Sequence, residues 1–135
     1  MVAPYAVAPW LGQLVDGWAA RVAAIAFVIA GVAFGVWAKR ALGSAFTPFP
    51  RPNTEGDLST GGPYAYARHP IYTGMIVSAT AWSLLWQSLA AGVLTALLFA
   101  FFDLKSRREE RWLEEKFADY AEYRRRVKRF IPYVY

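Results

Sequence analysis

The chain has 135 residues, of which 56% are hydrophobic and 19% charged, whereas a typical soluble domain carries about 25% charged residues. Its net charge is +5, and ten of the 15 basic residues lie between Lys105 and Arg129, so it is an apolar body with a basic tail and no nucleic-acid partner is expected. The absence of cysteine and the single histidine exclude disulfides, thiolate zinc sites, cysteine nucleophiles and multi-histidine metal sites, and we expect no bound metal.

Residues 1–18 are interpreted as an interfacial N-terminal segment, because prolines interrupt them and they lack the basic start of a secretory signal. Residues 19–38 form an almost wholly apolar run of about the 20 residues that a membrane span needs. Arg21 can extend to the interface, and Lys39 and Arg40 end the run. The alternative is a core helix of a soluble protein, which is disfavoured because so small a domain could hardly bury all its apolar runs.

Residues 39–70 form a connector rich in glycine, proline and small polar residues, which is too broken for a long helix. Long loops of this kind are usually functional. The uncharged stretch 71–102 that follows would reach about 48 Å as one helix, well beyond a bilayer core of about 30 Å. Trp86-Gln87-Ser88 is the natural break, so a hairpin is predicted with helices over 71–86 and 88–103. The second helix can continue past the membrane into the charged tail.

The tail, 104–135, has apolar residues at helical spacing among its charges. This pattern predicts an amphipathic helix between Asp103 and Arg129, ended by Pro132, that either lies on the membrane or covers the connector. The basic blocks then fall on one side of three spans, which the positive-inside rule makes cytoplasmic. The predicted fold is therefore an all-α integral membrane protein of one domain, with about three transmembrane helices, a cytoplasmic connector and a cytoplasmic C-terminus. Three spans give little surface around a lipid, so a homodimer is a possible assembly.

The connector ends in GPYAYARHPIYTG, residues 62–74, at the mouth of the predicted hairpin. Arg68, His69 and three tyrosines lie together there, Pro70 suits the first turn of the next helix, and the glycines permit close backbone approach to a ligand. Such a cluster suits a ligand with a charged head and a flat ring. The alternative is a helix cap with interfacial tyrosines and an arginine that extends to the interface.

A second polar group lies in the tail, where Lys105 and Glu109 are spaced i, i+4 on one helix face and Glu110 follows. Glutamate carboxylates at this point could bind ribose hydroxyls or an amino group. The alternative is a solvated charge pair worth a few tenths of a kcal/mol.

The pattern GPY-x3-RHP-x-Y-x-G, an apolar hairpin, EE-x2-L and Y-x2-Y-x3-V-x-R-x-I-P resembles the isoprenylcysteine carboxyl methyltransferase family, which is related to the membrane phospholipid methyltransferases. The likeness covers about residues 38–132, and GSAFTPFPRP, residues 43–52, resembles bacterial members. The resemblance therefore implies a bacterial inner-membrane location. The matching residues are Gly62, Pro63, Tyr64, Arg68, His69, Pro70, Tyr72, Gly74, Glu109, Glu110, Leu113, Tyr120, Tyr123, Val127, Arg129, Ile131 and Pro132.

The resemblance implies S-adenosyl-L-methionine as methyl donor, S-adenosyl-L-homocysteine as product, and a lipophilic acceptor among membrane lipids whose methylated group is a carboxylate, an amine or a phospholipid headgroup. In the prenylcysteine enzymes, the position that Lys105 matches resembles an arginine, which holds the acceptor's carboxylate. Arg107 or Arg108 could take this role in place of Lys105. The positions implied for acceptor positioning are Lys105 and Arg108. The positions implied for cofactor binding are Gly56, Asp57, Leu58, Ser59, Tyr64, Arg68, His69, Pro70, Ile71, Tyr72, Glu109 and Glu110.

Two other functions stay open from the sequence. Membrane sterol reductases carry a related C-terminal Arg-His pattern and bind NADPH, although the glutamate motif matches the methyltransferases better. The small number of spans and the Lys105 departure are also compatible with a non-catalytic membrane binding module.

Overall fold

The structure is a computed structural model that describes residues 17–42 and 60–135. These residues form four α-helices and one 3-10 turn, with no strand among them, so the predicted all-α fold is confirmed for this part of the chain. Residues 1–16 and 43–59, which include most of the predicted interfacial segment and the predicted cofactor contacts 56–59, lie outside the described residues. The elements are α1 (Trp18–Leu42), the 3-10 turn (Gly62–Ala65), α2 (Pro70–Leu85), α3 (Leu89–Lys116) and α4 (Tyr120–Arg126).

Two helices, α1 and α3, are long and apolar enough to cross a membrane, with mean hydropathies of 2.2 and 1.6 over their most apolar windows. Only 11% of each window is buried within the chain, which is not the environment of a core helix in a soluble protein. Helix α2 has 16 residues and a length of roughly 24 Å, less than the core thickness of about 30 Å. The third predicted span therefore stays a prediction.

The predicted break between the two hairpin helices is confirmed. Helix α2 ends at Leu85 and α3 begins at Leu89. Gln87 adopts a left-handed conformation with φ of 48°, and the Ser88 hydroxyl caps α3 by accepting the Ala91 N–H at 3.2 Å. A polar cap residue directly after a left-handed residue stops one helix and starts the next within three residues.

Helices α1 and α2 cross at a contact made of very small residues. A Cβ added at Gly74 would lie 2.8 Å from the backbone nitrogen of Gly35 and closer still to the carbonyl oxygen of Gly31. Ser78 lies one turn further along α2, and its hydroxyl donates to the carbonyl oxygens of Gly74 and of Val28 on α1, at 2.8 and 3.2 Å. Small residues of this kind let helix backbones approach closely inside a membrane. The contact fixes an antiparallel pair, which brings the end of α1 beside the start of α2.

The prediction of one helix between Asp103 and Arg129 is wrong in its bounds. Helix α3 continues the membrane helix to Lys116, the chain is extended at Phe117, and the separate α4 ends at Arg126, well before Pro132. A single straight helix of 27 residues would reach roughly 40 Å from α3. The break instead turns the chain back, so that Tyr123 of α4 donates its hydroxyl to the Tyr64 carbonyl oxygen at 2.6 Å. The described part of the tail therefore contacts the connector, and the alternative position on the membrane stays a prediction.

Candidate functional site

The last connector residues are held by the C-terminal segment through the backbone. The Arg68 N–H donates to the Lys128 carbonyl oxygen at 2.9 Å, and the His69 N–H donates to that of Arg129 at 3.0 Å. Thr73, one turn into α2, donates its hydroxyl to the carbonyl oxygens of His69 and Phe130, at 3.1 and 2.7 Å. These bonds fix the position of the His69 backbone.

Glu110 is the centre of the site and is buried, with 2% of its surface exposed. One carboxylate oxygen accepts from His69 Nε2 at 3.1 Å and lies 3.3 Å from Arg68 Nη2. The other accepts from Arg129 Nη2 at 3.2 Å. With both oxygens occupied by three basic groups, Glu110 is a buried structural anchor. We call Arg68, His69, Glu109, Glu110 and Arg129 the His–Glu cluster.

Glu109 has a different environment from its neighbour. Its side chain is 13% exposed, and one oxygen accepts the Tyr72 hydroxyl at 2.7 Å while the other lies 3.6 Å from His69 Nδ1. Lys105 lies 3.4 Å from the same carboxylate and donates to the Tyr72 hydroxyl at 2.7 Å. Tyr72 is stacked between His69 and Phe102, with ring centroids 5.4 and 4.4 Å apart. Glu109 is therefore the more exposed carboxylate of the pair.

Three tyrosines from the connector and α4 enclose the cluster on the tail side. Burial, and secondarily the charge of Glu109, raises the pKa of Tyr64. Burial likewise raises the pKa values of Tyr120 and Tyr123. All three phenols therefore stay neutral at physiological pH and can act as hydrogen-bond donors or as flat apolar surfaces.

Some buried donors of the cluster have no acceptor among the described residues. These are Nε and Nη1 of Arg68, Nε of Arg129 and the hydroxyl of Tyr120. Burial lowers the pKa of the Arg68 guanidinium, and the negative charge of Glu110 opposes that shift. Buried donors normally have partners, so a group rich in donors around two glutamates is suited to a polar ligand with acceptor oxygens.

The structure brings most of the described candidate residues together, but not all. The residues that meet in the site are Tyr64, Arg68, His69, Tyr72, Glu109, Glu110 and Lys105. Pro70 is buried at the first position of α2. The backbone of Ile71 lies near Gly35 of α1, and its predicted cofactor contact stays a prediction. Arg108 is exposed on α3 and is not among the described side chains that contact the cluster.

Several residues of the site had no assigned role in the sequence analysis. Arg129 pairs with Asp103 at 2.9 Å as well as with Glu110, and Tyr120 and Phe102 pack at the edges. Asp103 and Glu110 are seven residues apart, which puts both on one face of a helix. The seven-residue spacing predicts this shared face, but only for a helix that runs unbroken from the membrane segment into the tail.

An apolar groove runs along α2 and begins beside the cluster, where its lining residues Thr73 and Phe130 contact His69. Its volume is about 560 Å³. Thr73, which bonds the His69 carbonyl oxygen, lies at one end and Leu84 at the other, a distance of roughly 16 Å along the helix. The lining residues are Ala20, Ala23, Ala24, Phe27, Thr73, Ile76, Val77, Thr80, Ala81, Leu84, Phe99, Phe130 and Ile131.

Comparison with protein families identifies the family to which these helices and glutamates belong. The family model described as phospholipid methyltransferase matches residues 19–120, which include α1, α2, α3 and both glutamates. The chain belongs to the phospholipid methyltransferase family. The family likeness expected from the GPY-x3-RHP and EE-x2-L patterns is thereby confirmed, and a membrane methyltransferase family agrees with the apolar helices α1 and α3.

Curated relatives of this phospholipid methyltransferase family member carry different names. Protein-S-isoprenylcysteine O-methyltransferase of Schizosaccharomyces pombe is 36% identical over 88 residues, 61% of this chain and 36% of that protein. The cobalt-zinc-cadmium resistance protein CzcN of Cupriavidus metallidurans is 37% identical over 76 residues, 56% of this chain and 35% of that protein. The nickel-cobalt-cadmium resistance protein NccN of Alcaligenes xylosoxydans is 32% identical over 77 residues. The chain spans about a third of the length of these relatives.

Proposed function

We propose that the chain transfers a methyl group from S-adenosyl-L-methionine to a lipophilic acceptor at the cytoplasmic face of the membrane. The observation that carries the proposal is a buried His–Glu cluster at the end of an apolar groove, in a member of a methyltransferase family. A polar site joined to an apolar channel suits a reaction between a charged soluble donor and a lipid. The basic residues at that end of the helices support the cytoplasmic orientation.

The donor set of the site fits the proposed cofactor. S-adenosylmethionine carries ribose hydroxyls, an amino group, a carboxylate and a flat adenine ring. Glu109, partly exposed, offers a carboxylate for hydroxyl or amino donors. The Arg68 nitrogens that have no acceptor among the described residues offer donors for acceptor oxygens. The neutral ring of Tyr64 offers a flat surface. We assign Glu109 to direct contact and Glu110 to holding His69 in place.

In the proposed methyl transfer, the protein mainly has to position the donor and the acceptor. S-adenosylmethionine supplies a methyl group that its sulfonium already activates for an in-line displacement. The residues of the chain have to bind the donor, align the acceptor and exclude water. A carboxylate acceptor has no proton to lose, whereas for an amine acceptor His69, hydrogen-bonded to Glu110, is placed to take one. Lys105 remains our candidate for positioning the acceptor.

The apolar groove is our proposed seat for the acceptor's hydrocarbon chain. Its length of roughly 16 Å is about half of a bilayer core of about 30 Å, the depth of one leaflet. Its lining is apolar except for two threonines, Thr73 and Thr80. Thr73 also bonds the His69 carbonyl oxygen, so a chain in the groove would present its polar end to the His–Glu cluster.

The proposal is tested by incubating the detergent-purified chain with a methyl-labelled donor and a membrane lipid extract. We expect label in the lipid fraction. Thr80→Phe should raise the lipid concentration needed for half-maximal transfer by about five- to a hundredfold, since overpacking costs about 1–3 kcal/mol. Thr80 lines the groove yet is exposed enough for the fold to tolerate the change. Ala96→Phe, on an exposed part of α3 away from the groove, is the matched control and should leave transfer unchanged.

Two results would contradict the proposal in different ways. No labelled lipid from any extract, despite cofactor binding, would leave a non-catalytic binding module. Equal effects of Thr80→Phe and Ala96→Phe would remove the groove from the acceptor site while leaving methyl transfer intact.

A further inference from the structure

Arg129 joins the C-terminal segment to α3 at two points. Its Nη1 lies 2.9 Å from an Asp103 carboxylate oxygen and its Nη2 lies 3.2 Å from a Glu110 oxygen. The two acids are two helical turns apart on one face of α3, and the planar guanidinium bridges them. The residue is 9% exposed, so this bridge is shielded from the solvent screening that weakens surface pairs.

The Asp103 end of the bridge is itself anchored. The same oxygen that pairs with Arg129 accepts the Tyr135 hydroxyl at 2.9 Å, and the other oxygen accepts from Arg107 Nε at 2.9 Å. The Tyr135 ring also lies 5.9 Å from the Arg129 guanidinium carbon, and the Phe130 N–H donates to the Tyr135 carbonyl oxygen at 3.0 Å. Asp103 thus holds the Arg129 guanidinium at Nη1, so its Nη2 meets Glu110 at a defined position.

Arg129 acts on His69 by two routes at once. Through its side chain it occupies one Glu110 oxygen, which leaves the other oxygen directed at His69 Nε2, 3.1 Å away. Through its backbone it accepts the His69 N–H at 3.0 Å. Arg129, 60 positions later in the chain, therefore contacts the backbone of His69 directly and its ring through Glu110.

We propose that Arg129 is a positioning residue of the site, which sets the orientation of the His69 ring through Glu110. The segment 127–135 is then part of the functional site, because it carries Arg129 and the tyrosine that anchors Asp103. Lysine cannot replace Arg129, because an ammonium lacks the planar fork that spans two carboxylates. The effect on ring orientation is independent of the proposed function, whereas the effect on cofactor affinity rests on it.

The orientation is tested with the single histidine of the chain. Labelling histidine alone with 15N gives ring signals from His69 without any assignment. We expect Arg129→Lys and Arg129→Ala to shift and broaden these signals, because the ring loses its fixed partner. Arg126→Ala is the matched control, since the Arg126 side chain is 67% exposed and lies 4.0 Å from Glu122, and its spectrum should match wild type. Unchanged histidine signals in a folded Arg129→Lys variant would overturn the proposal.

The link to binding is tested by a double-mutant cycle. Arg129→Lys should weaken binding of S-adenosylhomocysteine about tenfold in the wild-type background, but should have little further effect when His69 is already glutamine, because the lysine substitution acts through that ring. Losses that multiply in the double variant would show that Arg129 acts independently of His69 and would overturn the positioning role. If wild type binds no S-adenosylhomocysteine, the proposed function fails, and the histidine spectrum alone decides the role of Arg129.

Discussion

Replacing Glu110 with alanine should destabilise the protein more than any other single substitution of a charged residue in the tail. The change leaves Arg68 and Arg129 buried near each other without the carboxylate that separates them. Removing one partner of a buried ion pair costs about 3–5 kcal/mol, because an uncompensated charge stays behind. We expect a loss of that order in the free energy of unfolding in detergent, followed by the fluorescence of the six tryptophans.

The control for this prediction is Glu114→Ala on the same helix. Glu114 pairs with Arg124, but their side chains are 35% and 46% exposed, and exposed pairs contribute less than about 1 kcal/mol. Glu114→Ala should therefore lower stability only slightly. Equal losses in the two variants would mean that Glu110 is not a buried anchor and that the cluster is looser than described.

Glu109→Gln should have the opposite profile, with stability close to wild type and cofactor affinity strongly reduced. Glutamine keeps the shape of the side chain and can still accept the Tyr72 hydroxyl, so the local packing survives. A hydrogen bond to a charged group is worth about 1.5–3 kcal/mol, and its loss should weaken binding of S-adenosylhomocysteine by about ten- to a hundredfold. Calorimetric titration measures the affinity, and thermal unfolding measures the stability.

The matched control is Glu115→Gln, an exposed glutamate further along α3. It changes the net charge by the same amount but lies away from the cluster, so its affinity should equal that of wild type. Should Glu109→Gln bind as tightly as Glu115→Gln, Glu109 would have no place in the cofactor site. Taken together, the variants at 109 and 110 separate the residue that binds from the residue that supports.

Local patterns were sufficient to predict the helical architecture. The uncharged stretch 71–102 was too long for one span, and Trp86-Gln87-Ser88 carried the polar and capping chemistry of a turn, so the hairpin break was predictable. The clustering of Arg68 and His69 with Glu109 and Glu110 followed from the same hairpin, since antiparallel helices return the chain to the end from which it left.

The tail could not be predicted in the same way. Its helical spacing is real, but the break at Phe117 comes from contacts between elements far apart in sequence: Tyr123 with Tyr64, and the backbone of 128–129 with 68–69. Such long-range contacts override local preference. The same holds for Arg129, whose contacts depend on a chain reversal that no local pattern predicts.

Binding of S-adenosylhomocysteine to the detergent-purified chain, compared with binding of NADPH under the same conditions, distinguishes a methyltransferase from a membrane reductase. Calorimetry measures both without knowledge of the acceptor. We expect saturable binding of S-adenosylhomocysteine at one site per chain, weakened by Glu109→Gln, and no saturable binding of NADPH. Saturable binding of NADPH with none of S-adenosylhomocysteine would contradict it and would favour a membrane reductase.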